Sequence, residues 1–430
     1  MRVTSTTMKI SNESLKKNFK NMWFPNFNEM RTIVEDYANM ALRRKDQWYS
    51  FNQLQMQLLI SIQIELQTLD MLKERREKGE DPDLIESYEI MTRTTLNALI
   101  QIGNGIAFRF LDYNFTLLTL FQANKTSIHA ILQEGFPATM ELAAILTDHS
   151  GPNSQVLIAD LNDLINIGDI IVKTDEDFEI IEVKKGRGRG ARLRRQRERM
   201  ESLTNFVNEQ IGTIDEQEVE VMKFPSRSHK LKELEECLKE AESEGVSKRK
   251  INEFLTVYGI DFEFMSNQNS IDDVTDLFKV INEEIGKSNV LSLSSLEHRQ
   301  FSGSSIPITA FPIDTKYIVD LLMGSKAYIS VLDIDKLEEF MTSKGWIVFN
   351  LVKEGVSSEV LEENNLSIFM LFDKDNPQKN FSFPIDNIVS IMMELVDIES
   401  YLNCGRVAMA KEEKNNNFIP YFEGEEKIWN

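Results

Sequence analysis

Residues 167–186 read IGDIIVKTDEDFEIIEVKKG, in which two apolar runs lie on either side of a short acidic turn. The β-branched content of both runs and the polar turn between them predict a β-hairpin whose loop spans residues 174–177. In that hairpin Lys173 lies opposite Phe178, and counting outward from this pair places Asp169 opposite Glu182. Opposed side chains on one face of a hairpin have Cβ atoms about 4.5–5.5 Å apart. The sequence therefore predicts two carboxylates side by side on an otherwise apolar sheet.

Two adjacent carboxylates repel each other unless one is protonated or a cation lies between them. A divalent ion that prefers oxygen ligands meets this requirement, Mg²⁺ in the first place and Mn²⁺ as an alternative. Glu182 and Lys184 are two residues apart on one strand, so they project from the same face. A metal ion, two carboxylates and a lysine beside them are what metal-assisted phosphodiester hydrolysis requires. The alternative is an edge hairpin whose exposed face carries a ladder of charges formed by Lys173, Glu182 and Lys184.

Positive charge is concentrated directly after the hairpin. The chain has 69 acidic and 48 basic residues and a net charge of −21, yet residues 184–199 contain nine basic residues and one acid. Such a concentration is typical of a surface that binds phosphates. It predicts a nucleic-acid partner contacted by Lys185, Arg187, Arg189, Arg192, Arg194 and Arg195. DNA is favoured over RNA, although the charge itself does not distinguish them. The alternatives are a solvated helix face and ion pairing with the acidic segment at residues 232–244.

Asp169, the tripeptide Glu182-Val183-Lys184 and the arginine-rich helix that follows together resemble the PD-(D/E)XK nuclease superfamily, which has the restriction-endonuclease-like fold. The resemblance covers residues 137–224, about a fifth of the chain, where the pattern predicts a helix, three strands, a helix and a strand. It implies that Asp169 and Glu182 bind a metal ion, that the carbonyl of Val183 adds a ligand, and that Lys184 positions the attacking water.

Two further positions follow from the same resemblance. Many members of the superfamily also use a glutamate from the preceding helix, for which Glu141 is the first candidate and Glu134 the second. The proline that gives the motif its name is absent here, because Gly168 precedes Asp169.

The whole chain predicts a multidomain protein of the α+β or α/β class. The expected parts are a helical N-terminal region (1–135), a restriction-endonuclease-like core with a mixed sheet flanked by helices (136–226), an acidic helical segment (227–290) and a C-terminal α+β domain (291–430). Apolar residues at helical spacing between Phe51 and Leu69 predict one long N-terminal helix. Met56, Leu59, Ile60 and Ile64 lie off its main stripe, which predicts burial on two sides, inside a bundle rather than at a subunit contact.

Composition excludes several classes of protein. The hydrophobic content of 42% excludes a disordered or collagen-like chain. The sequence contains no run of 18 uncharged apolar residues, so we expect no membrane span. Two distant cysteines, Cys237 and Cys404, indicate a reducing compartment, so we expect a cytoplasmic protein. The four scattered histidines support neither a zinc site nor a catalytic triad. Asp160 and Asp163 lie near the proposed site in sequence, where capping a turn is favoured over metal binding.

These observations predict a cytoplasmic, Mg²⁺-dependent endonuclease that hydrolyses phosphodiester bonds. We expect a homo-oligomer, or a protein partner bound through the helical N-terminal region, and analogy alone suggests bacterial defence against phage. One alternative is a nucleic-acid-binding or scaffold protein that keeps the nuclease fold without cutting. The other is a structural assembly protein in which the charged hairpin is fortuitous.

Overall fold

A computed structural model describes most of the 430-residue chain. The described residues are 27–43, 48–121, 136–149, 154–162, 164–165, 168–174, 177–183, 191–209, 211–214, 217–268, 283, 289–298, 306–351, 369–411 and 417–423. Side chains at 42–43, 48–51, 115, 119, 191–196, 211–214, 217–218, 220, 267–268, 297–298, 385, 411 and 417–420 are outside this description. No described helix is long and apolar enough to cross a membrane.

The described part of the chain contains both helices and several small sheets, which confirms a mixed α+β protein. The helices are α1 Phe27–Arg43, α2 Trp48–Glu77, α3 Pro82–Phe110, α4 Phe115–Phe121, α5 Phe136–His149, α6 Ala191–Glu209, α7 Leu231–Glu244, α8 Phe262–Gln268, α9 Ser295–His298, α10 Thr315–Met323, α11 Ile334–Ser343, α12 Ile385–Met393 and α13 Ile398–Lys411. The strands are β1 Gln155–Ile158, β2 Ile170–Lys173, β3 Phe178–Ile181, β4 Ile211–Ile214, β5 Gln217–Pro225, β6 Val246–Lys250, β7 Leu255–Asp261, β8 Val290–Ser294, β9 Lys326–Asp333, β10 Trp346–Asn350, β11 Phe369–Asp373, β12 Asn380–Phe383 and β13 Asn417–Glu423. Short 3₁₀ turns occur at Ala159–Leu161 and Ile308–Ala310.

The chain divides into two units. Unit A comprises residues 24–224, 306–323 and 415–430, and unit B comprises residues 1–23, 225–305 and 324–414. The candidate site lies wholly within unit A.

The N-terminal half of unit A is helical in its described residues, as the sequence predicts. Helix α3 begins where the Asp81 carboxylate accepts a hydrogen bond from the Asp83 N–H at 3.0 Å, with Pro82 in the first turn. Helices α2 and α3 bury their facing apolar side chains, including Leu58, Ile62, Leu99 and Ile102, which are at most 1% exposed. This shared core fixes the two helices against each other.

The prediction that helix α2 is buried on two sides within a bundle is wrong for two of its residues. Leu59 is 1% exposed and Met56 is partly buried, whereas Ile60 and Ile64 are each 54% exposed. The helix therefore buries a wide face but leaves one apolar stripe exposed.

The predicted hairpin forms with the predicted register. β1, β2 and β3 form an antiparallel sheet in that order, and Lys173 pairs with Phe178 across the hairpin. The Thr174 N–H donates to the Asp177 carbonyl at 2.8 Å and closes the turn. The buried apolar side chains of β2 and β3 form the core beneath the candidate site.

Helix side chains close both edges of this sheet. Gln55 of α2 donates from Nε2 to the Val156 carbonyl at 2.8 Å and accepts from the Ile158 N–H at 3.0 Å, so its amide takes the place of a neighbouring strand on β1. Asn208 of α6 does the same at β3, where it accepts from the Phe178 N–H at 3.1 Å and donates to the Phe178 carbonyl at 3.3 Å. Edge backbone groups that would otherwise attract another strand are thereby satisfied.

The sheet differs from the predicted mixed core. The order of helix, three strands, helix and strand is observed, but β5, predicted at residues 219–224, pairs with β4 and lies beside β13 in a separate three-stranded sheet. The β1-β2-β3 sheet is entirely antiparallel, and in the part of the chain that the structure describes it has no fourth strand. A restriction-endonuclease-like fold is therefore not confirmed.

Unit B is built around a four-stranded antiparallel sheet in the order β6-β7-β9-β8, with a separate β10-β11-β12 sheet. Residues 246–261 lie in the segment predicted to be helical but form β6 and β7. The helical pattern ends at Gly245, whose φ of +77° favours glycine, and Val257, Tyr258 and Ile260 then pack into the sheet core. Helix α7 directs Glu233, Glu236 and Glu240 at Arg249 of β6.

Candidate functional site

Three chain segments meet at one end of the β1-β2-β3 sheet. β1 and β3 end there and β2 begins there, because both neighbours run antiparallel to the central strand. The Ala159 N–H, just after β1, donates to the Asp169 carbonyl at 2.9 Å, and the Asp169 N–H donates to the Ile181 carbonyl at 2.8 Å. The backbone of Asp169 is therefore held between the other two strand ends.

Gly168 sets the position of Asp169. Its φ of +69° lies in the left-handed region, which a proline cannot adopt because its ring fixes φ near −65°. A Cβ at this position would also lie 2.5 Å from Cγ2 of Ile180. The departure from the Pro-Asp motif therefore has a local physical reason, since the turn into β2 requires glycine.

The Asp169 carboxylate contacts the end of β3. Its Oδ2 accepts a hydrogen bond from the Val183 N–H at 2.5 Å, while the Asp169 side chain is only partly buried. A carboxylate that accepts a backbone N–H replaces a strand partner at this point of the hairpin. Glu182 and Val183, two of the predicted site residues, are thereby brought next to Asp169.

Glu182 is partly buried, with its Oε2 atom inaccessible to solvent. The predicted direct pairing of Asp169 with Glu182 lies one step beyond the ladder, which ends at the pair Ile170 and Ile181. The register is as predicted over four pairs, but the turn at Gly168 redirects the Asp169 N–H to Ile181. The two carboxylates lie at the same end of the sheet without being a strand pair.

Asp160 is an acidic residue at this end that is absent from the predicted site. It lies in the 3₁₀ turn after β1, and burial raises its pKa from 3.8 to about 6, with a further increase from the negative charge of Asp169. Asn162 holds the turn by accepting from the Leu164 and Ile165 N–H groups at 3.0 and 2.7 Å. Proximity in sequence identified Asp160 as a candidate, but it gave no reason to prefer it over Asp163, which lies outside the described residues.

Glu141 is an exposed residue of helix α5, which packs on β1. Helix α5 supplies Ala143, Ala144, Thr147 and Asp148 to a cleft of about 380 Å³ that Val156 and Ile158 of β1 also line. Glu141 itself is not among the described residues that line this cleft. Glu134, the second candidate from this region, lies outside the described residues.

The basic run falls mostly outside what the structure describes. Lys184, Lys185, Arg187 and Arg189 precede the first described residue of α6, and the side chains of Arg192, Arg194 and Arg195 are also outside the description. At the end of the run, Arg197 is exposed and Arg199 is partly buried. The predicted phosphate contacts therefore stay predictions.

Lys173 lies at the opposite end of β2 from the carboxylates. It forms an ion pair with Asp112 and also donates to the Phe110 carbonyl at 3.3 Å. It therefore anchors the far end of the hairpin to the turn after α3. The alternative of a charge ladder formed by Lys173, Glu182 and Lys184 therefore does not hold for Lys173, which pairs with Asp112 instead.

A metal ion would find oxygen donors at the end of the sheet. Carboxylate and backbone carbonyl oxygens are the ligands that Mg²⁺ and Mn²⁺ prefer, and Asp169, Glu182 and Val183 supply both kinds. Within the described ranges no group of three or more Asp, Glu, His or Cys side chains is arranged as a metal site. The fit thus rests on two carboxylates and one backbone carbonyl.

Comparisons with known proteins add no relative to this picture. No protein-family model, no curated protein and no solved structure matches this chain.

Proposed function

We propose that this protein is a metal-dependent nuclease that hydrolyses phosphodiester bonds in nucleic acid, DNA rather than RNA. The observation that carries the proposal is the contact of the Asp169 carboxylate with the Val183 N–H beside Glu182. It holds the Asp169 carboxylate against the strand end that carries Glu182 and Val183, directly before Lys184 in the chain.

Asp169 and Glu182 would bind Mg²⁺ or Mn²⁺, with the Val183 carbonyl as a third oxygen ligand and Glu141 as a further candidate. When bound, the metal ion supplies a Lewis acid that polarises the phosphate and lowers the pKa of a water molecule. Asp160 adds negative charge at the same end of the sheet, and a cation would favour its ionised form. This set of oxygen donors supports a hard divalent cation rather than zinc.

The residues of the chain would divide the remaining work. The Val183 N–H donates to one oxygen of the Asp169 carboxylate and thereby fixes the orientation of this carboxylate. Lys184 would hold the attacking water and stabilise the negative charge that develops on the phosphate. Seven residues separate Val183 from the start of α6 at Ala191, so Arg192 lies within about 30 Å of the site along the chain. The basic run can therefore contact the phosphates of a nucleic-acid strand that is bound at the site.

Cleavage of plasmid, linear duplex, single-stranded DNA and RNA in the presence of Mg²⁺ tests the proposal. Asp169→Asn keeps an oxygen that can accept the Val183 N–H but removes the charge, and Lys184→Ala removes the ammonium group. Glu179→Gln is the matched control, because Glu179 is an exposed carboxylate on the same hairpin. We expect cleavage to be lost in the first two variants, to be retained in the control and to stop when the metal is chelated.

Two results would contradict the proposal. Cleavage retained by Asp169→Asn and Lys184→Ala would remove the site from the reaction. Salt-sensitive binding of nucleic acid without cleavage by the wild type, in Mg²⁺ or Mn²⁺, would favour the alternative of a binding protein that does not cut. Circular dichroism and thermal unfolding of each variant separate a lost activity from a lost fold.

A further inference from the structure

Helix α2 exposes an apolar stripe on the surface of unit A. Nine large apolar side chains are exposed among the residues that the structure describes, and three of them lie on this helix. Ile60 and Ile64 are each 54% exposed and Met71 is 56% exposed, whereas Leu58 and Ile62 of the same helix are fully buried. Single exposed apolar side chains are ordinary, but three on one face of one helix form an apolar patch whose contact with water is unfavourable.

The stripe has the spacing of a helix-pairing surface. Three of its members are apolar, Ile60, Ile64 and Met71, and three are polar, Gln57, Gln67 and Glu74; all six are exposed. The intervals between them are three, four, three, four and three residues, which is the alternation of a heptad seam. At 1.5 Å per residue the stripe is about 25 Å long.

The intervals are the same in either direction along the helix. A surface with this property can pack against a copy of itself related by a two-fold axis, since each contact then occurs twice. With the axis between Ile64 and Gln67, Ile60 faces Met71 of the partner subunit and Ile64 faces Gln67 of the partner subunit. Gln57 then faces Glu74 of the partner subunit.

We propose that this stripe is the self-association surface of the protein, and that a second copy of α2 packs on it antiparallel to the first. The inference is independent of the nuclease function, because it depends only on the exposure and spacing of α2.

The charge distribution of α2 favours the antiparallel arrangement. Residues 48–64 contain no charged side chain, whereas residues 65–77 contain seven. Antiparallel packing places the charged half of each helix against the uncharged half of the other. Parallel packing would place Glu74 against its own copy, and like charges directly opposed are unfavourable. In a chain of net charge −21, an uncharged half-helix is a surface on which two copies can approach each other.

The size of the surface sets the expected strength. A stripe about 25 Å long and one helix wide is smaller than the roughly 800 Å² per partner of a typical stable interface. We therefore expect a reversible dimer with a dissociation constant in the micromolar range, on the order of 1–100 µM.

Sedimentation velocity of the full chain across that concentration range tests the proposal. The wild type should shift from monomer to dimer, and Ile64→Lys should remain monomeric, because a charged lysine would replace an apolar side chain beside the two-fold axis, where the two helices are closest. Gln67→Lys changes a neighbouring residue of the same stripe and should act in the same way. Ile347→Lys, at a side chain 47% exposed on β10 of unit B, is the matched control and should dimerise like the wild type.

Cysteine pairing tests the direction of the helices. The native Cys237 and Cys404 are buried, so introduced cysteines are expected to react first. In the antiparallel arrangement, chains with Ile60→Cys and chains with Met71→Cys should form a disulfide with each other and not with themselves. A wild type that stays monomeric throughout, a dimer unaffected by Ile64→Lys and Gln67→Lys, or disulfides formed within each variant alone would overturn the proposal.

Discussion

Replacing Gln55 by leucine tests whether a helix amide, rather than a further strand, completes the outer edge of β1. The Gln55 side chain is 1% exposed, and its amide makes hydrogen bonds of 2.8 and 3.0 Å to backbone groups of Val156 and Ile158. Leucine has a similar volume and can form neither bond. The substitution therefore leaves one buried carbonyl and one buried N–H without the partner that they have in the wild type.

The expected loss follows from those two groups. A buried backbone group that loses its hydrogen-bond partner costs about 1–3 kcal/mol, so the pair sets a range of about 2–6 kcal/mol. Entry of water into the adjacent cleft of about 380 Å³ would satisfy part of this loss. We therefore expect the free energy of unfolding of unit A to fall by about 2–4 kcal/mol, which is large compared with ordinary protein stability.

Urea unfolding followed by circular dichroism measures the loss, and hydrogen exchange of peptides covering residues 154–162 locates it. Gln53→Leu is the control, because it makes the same substitution on the exposed side of the same helix and should change stability by less than about 0.5 kcal/mol. Faster exchange in β1, with a larger loss of stability than in the control, is the expected result. Equal stability of the two variants, or unchanged exchange at β1, would refute the edge role of Gln55.

Three further predictions concern the turn before β2 and two titrating side chains. Gly168→Ala should destabilise unit A by about 1–3 kcal/mol in thermal unfolding, because an alanine at positive φ is strained and its Cβ meets β3. Asp160 has a raised pKa of about 6, so its contribution to stability is complete below pH 3.8 and is lost as the pH rises through 6. In metal-free buffer Asp160→Asn should therefore stabilise the protein at pH 8 by about 1–2 kcal/mol, after allowance for solvent screening, and by less at pH 5, as measured by urea unfolding. Burial and the Arg227 guanidinium lower the pKa of His229 from 6.5 to about 3. The contribution of neutral His229 to stability is therefore complete above pH 6.5 and is lost as the pH falls toward 3. His229→Gln should make the urea midpoint depend less on pH in this range.

The hairpin could be predicted from sequence because its determinants are local. Two short β-branched runs, a polar turn and a fixed number of loop residues leave one register, and the Thr174 to Asp177 hydrogen bond closes that turn. The place of Asp169 directly before β2 followed from the same count. Only the last step failed, because the positive φ of Gly168 turns the chain out of the ladder before Glu182 is reached.

The closure of the sheet edges could not be predicted, because it depends on residues far away in the chain. Gln55 lies 101 residues from Val156, and Asn208 lies 30 residues from Phe178. In the sequence each is one amide among many on a helix, and no periodicity distinguishes it from a surface residue. The sequence could therefore not show that β5 would be excluded from the sheet and would pair with β4 and β13.

The strands at residues 246–261 were predicted to be helical because the first of them carries many charged side chains. Lys248, Arg249 and Lys250 continue the charged composition of α7, so the segment resembles more of the same solvated helix. In the structure β6 is an edge strand of its sheet, and charged side chains are common on edge strands because they discourage pairing with other chains. Arg249 also forms ion pairs with three glutamates of α7, which accounts for a basic residue at that position.

The Asp169 carboxylate has a structural role as well as a candidate chemical one, and the two can be separated. Structure requires only an oxygen that accepts the Val183 N–H, which asparagine can supply. Metal binding requires the negative charge, which asparagine lacks. A fully structural Asp169 would therefore tolerate asparagine and suffer from alanine, whereas a ligand would lose its activity with either. Because Glu182 and Asp160 also lie beyond the last ladder pair, their charges are not needed to pair the strands. Three acids at the end of a sheet whose pairing does not require their negative charge, in the region before the basic run, are the reason to look for a cation there.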